Sequence, residues 1–180
     1  MALRGKSLLT KEKSNSPEIW HCFFCSLFIR EPKSPLGELM KYVIVYWSRY
    51  GNGKKVVDSL EGKLKEKGAE TKIYKTDEAD PAAMPKADVY IFSAATEAFN
   101  IQKDMRAFMK NLKGMEERKY GIINTHGMKK DRLQKMEKLL SKQKMEKVAS
   151  VDFQVGDGSQ TGNGLMEGWE AKLDEFVGQL

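Results

Sequence analysis

The chain has 180 residues, 41% of them hydrophobic and 31% charged, and a net charge of +6. That length fits one domain with a tail, large enough to bury a core without disulfides or metals. The composition argues against a disordered or membrane-embedded chain.

The first forty residues differ from the rest. They run from a Lys/Ser-rich start through an apolar stretch (residues 19–29) to a Pro/Gly-rich end. The apolar stretch is too short to span a bilayer and starts late for a secretory segment. It holds both cysteines, Cys22 and Cys25, beside His21. Two thiols and one imidazole leave a four-coordinate zinc shell incomplete. Met40 directly precedes the first strong strand, so residues 1–40 are expected to be a flexible or non-native extension. Beyond them there is no cysteine, hence no disulfide or thiol nucleophile, and a reducing, cytoplasmic setting is expected.

From residue 41 on, strand and helix signals alternate. Residues 41–47 (KYVIVYW) form an apolar, β-branched and aromatic run of strand length. Residues 48–53 (SRYGNG) break it. A helix follows with Val56, Val57, Leu60 and Leu64 on one face and Gly68 past its end. Residues 71–75 read as a short strand, and Asp80-Pro81 opens a turn that Pro85 stops. Residues 89–93 (VYIFS) are a buried-type strand. A loop then leads to a helix with Met105, Phe108, Met109 and Leu112 inward. Residues 120–124 predict a strand, followed by a Thr125-His126-Gly127 loop. The next helix turns Leu133, Met136, Leu139 and Leu140 inward and its lysines outward. Residues 148–155 are the fifth strand. After a Gly/Ser-rich loop (156–164), a last helix is expected to bury Leu165, Trp169, Leu173 and Phe176.

Five strands alternating with helices predict an α/β fold, a parallel sheet covered by helices on both faces. Ligands in such folds bind beyond the carboxyl ends of the strands, at the point where strand order reverses. The 48–53 loop lies at one such end. Its glycines permit close backbone approach, and the helix start behind it offers free N–H groups to an anion. Ser48, Tyr50 and Asn52 can add donors and Lys54 a charge. A phosphate suits that set, although neither the P-loop nor the dinucleotide spacing is present.

Val45-Tyr46-Trp47-Ser48 with Gly51 and Asn52 resembles the first loop of the flavodoxin family, T/S-x-T-G-x-T, over a domain of residues 41–180. Tyr50 and Gly53 stand where that pattern has threonines. Residues 93–100 and 104–109 are similar to the family's second flavin loop, with Thr96, Met105 and Phe108 matching. Ala95 replaces the usual proline and Glu97 the usual aromatic. The resemblance implies a three-layer α/β/α sandwich with five parallel strands in order 2-1-3-4-5. It also implies FMN as cofactor and an electron-transfer function. The residues it places around FMN are Ser48, Arg49, Tyr50, Gly51, Asn52 and Gly53. From the second and third loops it adds Ala94, Ala95, Thr96, Phe99, Asn124, Thr125, His126 and Gly127. Phe99 is expected to stack on the ring and His126 to meet its edge.

Arg49-Tyr50-Gly51 is also similar to the first loop of flavodoxin-like protoporphyrinogen dehydrogenases. An FMN-dependent oxidoreductase of that or the quinone reductase type therefore stays open, as does a flavodoxin-fold module that has lost FMN. No metal site or hydrolytic constellation is expected. Residues 128–147 hold eight basic and three acidic side chains, which accounts for the whole positive excess of residues 41–180. With the flavin edge expected nearby, acidic redox partner proteins would dock near Lys129–Lys147, and the potential would be less negative than usual. Neither nucleic acid nor a membrane span is expected.

Overall fold

The computed structural model describes residues 39–127 and 131–180. The expected extension lies outside the described residues, apart from its last two positions. So do Cys22, Cys25, Lys129 and Lys130.

The first strand, β1 (Lys41–Tyr46), is buried at every position after Lys41. Such a strand must be covered on both faces, which its unbroken apolar run anticipates. It pairs in parallel with β2 (Glu70–Lys75) on one side and β3 (Val89–Glu97) on the other. Then come β5 (Lys119–His126) and β6 (Glu146–Gln154), also parallel, for a central order of β2-β1-β3-β5-β6. Leaving aside the two-residue β4 (Asn100–Ile101), this is the expected 2-1-3-4-5 order. The edge strands are less covered, β2 having only half-buried and exposed positions and β6 alternating half-buried with buried ones, whereas β3 and β5 are nearly continuous inside.

Helices α1 (Asn52–Glu66) and α4 (Trp169–Gln179) cover one face, packing on Ile44, Ile91, Ile123 and Phe153. Helices α2 (Lys103–Asn111) and α3 (Leu133–Ser141) cover the other, against Val45, Phe92, Tyr120 and Ile122. The inward stripe predicted for α1 is buried at all four positions. Burying each such aliphatic side chain contributes about 1.5–3 kcal/mol.

Three boundaries differ from the sequence reading. The loop expected after Ser93 is largely strand: β3 runs on to Glu97 and turns back through Ala98 and Phe99 into the antiparallel β4. Thr125 and His126 belong to β5 rather than to a loop. Leu165 precedes α4 and bridges to Val155. In the first two cases a neighbouring strand extends the pairing through polar residues, which local propensity does not foresee.

Candidate functional site

Because β2 and β3 leave β1 on opposite sides, the strand order reverses beside β1 and opens a crevice at its carboxyl end. The loop filling that place turns tightly, with the Gly51 N–H donating to Ser48 Oγ at 3.2 Å. Gly51 is the N-cap of α1, with φ 92°, and no side chain caps the helix. The first backbone bond of α1 runs from Lys55 N to Gly51 O, so the N–H groups just before it lack helical partners. No acidic residue sits in the first turn to take them up. Lys54 adds a cation there, and its hydrogen bond to Asp58 pushes its pKa up, so it stays protonated. A helix start of this kind attracts an anion.

The opposite wall comes from β3. Glu97 accepts an ion pair from Arg49 Nε at 3.0 Å. The Arg49 guanidinium lies 5.7 Å from the Trp47 ring centre and 5.9 Å from that of Tyr50. The ion pair therefore ties the 48–53 loop to the end of β3.

The third wall is the end of β5. Asn124 is fully buried and both its polar atoms are engaged. Its amide donates to Ala94 O at 2.9 Å, and Oδ1 accepts from Thr96 Oγ1 and Arg132 N. One side chain thus pins the end of β3 and the start of α3. His126 is buried too, with Nε2 3.1 Å from Asp152 Oδ2. Lys172 Nζ lies 3.8 Å from the same oxygen.

A fourth wall is the 156–164 loop. Asn52 donates to Ser159 O at 2.5 Å, and its own Oδ1 accepts from Gly164 N at 2.9 Å. The loop also meets the 48–53 loop backbone to backbone. Gly162 has φ 77°, and a Cβ there would stand 2.8 Å from Tyr50 O, so only glycine fits without displacement.

These walls enclose a cleft of about 330 Å³. Ten predicted residues line it: Ser48, Arg49, Tyr50, Asn52, Gly53, Ala95, Thr96, Thr125, His126 and Gly127. Four do not. Ala94 and Asn124 are buried behind it, and Gly51 faces the adjoining cleft. Phe99 is 68% exposed on the outer side of the hairpin, where its carbonyl accepts from Arg132 Nε. The sequence reading missed Trp47, Glu97, Ala98, Val155 and Ser159 as cleft residues. Four glycines within residues 156–164 were the available signal for Ser159.

The adjoining cleft, about 650 Å³, lies on the β2 side of the same loop. Its Asp77 and Asp104 oppose its cations, and it meets neither β5 nor the 156–164 loop. For an anionic, ring-bearing ligand the smaller cleft is the better match. Among the described residues there is no cluster of three potential metal ligands, and no helix is long and apolar enough to cross a membrane.

The family model described as Flavodoxin domain matches residues 43–167. The chain belongs to the flavodoxin domain family. No curated protein matches it significantly. Among solved structures, the Streptococcus pneumonia TIGR4 flavodoxin is 18% identical with a TM-score of 0.61, covering 78% of this chain and 97% of that one. A two-electron reduced Megasphaera elsdenii flavodoxin is 15% identical, TM-score 0.55, over 62% and 84% of the two chains. A flavo di-iron protein variant from Thermotoga maritima is 25% identical, TM-score 0.61, over 78% of this chain but 34% of that one. Similarity to the di-iron protein is thus confined to one part of a longer molecule. The likenesses to the two flavodoxins concern the fold.

Proposed function

We propose that residues 41–180 form an FMN-binding electron-transfer domain that works in the cytoplasm with protein redox partners. The observation that carries this reading is the uncapped start of α1, with Gly51, Asn52 and Gly53 beside a cleft at three strand ends. The donor set fits the cofactor. Open backbone N–H groups and the Ser48 hydroxyl suit a phosphate. Trp47 and Tyr50 border the cleft with aromatic surface suited to a flavin ring.

FMN, when bound, supplies the electron-carrying chemistry. This chain's residues hold and orient it. The α1 start fixes the phosphate, while the Arg49–Glu97 pair ties the loop to β3. Asn124 keeps the ends of β3 and β5 in place from below. His126 sits at the β5 wall with its Nε2 3.1 Å from Asp152 Oδ2.

The partner surface is basic. Lys135, Lys138, Lys142 and Lys144 are exposed on and after α3, whereas Lys147 pairs with Glu137. Acidic proteins would be steered toward this face, and added salt would slow their association. Titrating purified protein against FMN fluorescence tests the reading: saturable quenching supports it.

A further inference from the structure

We propose that Ser159, carried in by the 156–164 loop, donates its hydroxyl to the FMN phosphate in place of the donors missing at Tyr50 and Gly53. The inference rests on the FMN reading above.

The phosphate-type loop is short of hydroxyls on its own account. Gly53 has no side chain at all, and Tyr50 carries its phenol on a 48% exposed ring. The space a residue 53 side chain would take is bordered by Ser48, at 3.4 Å from a Cβ built there. Ser159 reaches the same cleft from the other end of the sequence, beside Ser48, Asn52 and Gly53.

Its position is built in from several directions. The Ser159 carbonyl accepts from Asn52, and its N–H donates to Gly156 O at 3.1 Å. Gly164 passes so close that a Cβ on it would lie 2.4 Å from the Ser159 Cα. The hydroxyl itself makes no hydrogen bond with a described residue, unlike Thr161, whose hydroxyl closes on Gly158 O within the loop. A serine whose backbone is fixed at both ends and whose hydroxyl is uncommitted can rotate that hydroxyl toward an anion. The charged acceptor makes such a bond stronger than a neutral one.

The test measures binding of FMN and of riboflavin, which lacks the phosphate, to the full chain and to its variants by fluorescence titration. Ser159→Ala is expected to weaken FMN about tenfold while leaving riboflavin affinity and the melting temperature unchanged. Ser159→Thr, which keeps a hydroxyl, should retain FMN affinity. If wild type binds FMN and Ser159→Ala binds it equally well, the role is overturned and the FMN reading stands. Equal weakening of FMN and riboflavin also overturns it, because the residue then only shapes the cleft. A wild-type chain that binds neither flavin overturns both.

Discussion

Asn52, the first residue of α1, hydrogen-bonds through its side chain to Ser159, 107 positions further along the chain. The same side chain accepts from Gly164 N. One buried amide thereby ties the loop after β1 to the loop after β6. Asn52→Ala removes both bonds and leaves the Gly164 N–H buried without its partner. The expected loss is about 2–3 kcal/mol of stability, read from urea unfolding at constant m-value. An unchanged midpoint would mean that the two loops are held together by backbone packing alone.

That packing has its own test. Gly162 combines a left-handed backbone with a 2.8 Å approach of the would-be Cβ to Tyr50 O. Gly162→Ala should cost more than about 1–2 kcal/mol, the ordinary penalty of a left-handed alanine, because the carbonyl must move as well. Since Tyr50 belongs to the phosphate-type loop, FMN affinity should fall along with stability. Gly178→Ala is the control: a Cβ there meets nothing within 4 Å, and it should be neutral or stabilising.

The hairpin between β3 and β4 has Ala98 at φ 44° and Phe99 at φ 65°. Two-residue hairpins of this hand favour Asn-Gly, and ordinary residues in the left-handed region cost about 1–2 kcal/mol each. Phe99→Gly alone should therefore raise the melting temperature. Phe99 is exposed and lines no wall of the cleft, so FMN affinity should stay as it is. A marked loss of FMN binding in this variant would return Phe99 to the ring-stacking role expected from the sequence.

How much was legible beforehand divides along physical lines. The unbroken apolar runs of β1 and β3 announce central strands, and the spacing of Val56, Val57, Leu60 and Leu64 announces the buried face of α1. The Ser48–Gly53 signal was legible too, because its glycines and donors are contiguous in the chain. Glu97 and Ser159 were not, since what brings them to the cleft is an ion pair to Arg49 and a hydrogen bond to Asn52. Contacts of that range leave no local periodicity. Asn124 and Phe99 show the converse: each stands at the right place in the sequence, yet one points into the interior and the other into solvent.

Affinity should also depend on pH with a definite sign. Lys54 has its pKa raised, first by its hydrogen bond to Asp58, so it remains charged at every pH below the ordinary lysine value. Its contribution to the folded state is fully present there and is lost only as pH rises through the raised value. It therefore changes nothing near neutrality. The phosphate of FMN loses its second charge below about pH 6, so FMN binding should weaken as pH falls through that region. Riboflavin binding should show no matching decline. Parallel pH profiles for the two flavins would place the phosphate away from α1.

The central claim is that the uncapped start of α1 holds the phosphate of a flavin. The most direct measurement compares fluorescence quenching of FMN and riboflavin by the purified wild-type chain at neutral pH. The account predicts saturable quenching of FMN and binding at least tenfold weaker for riboflavin, in line with the loss of charge-assisted phosphate bonds. Equal affinity for both, or no quenching of either, would contradict it.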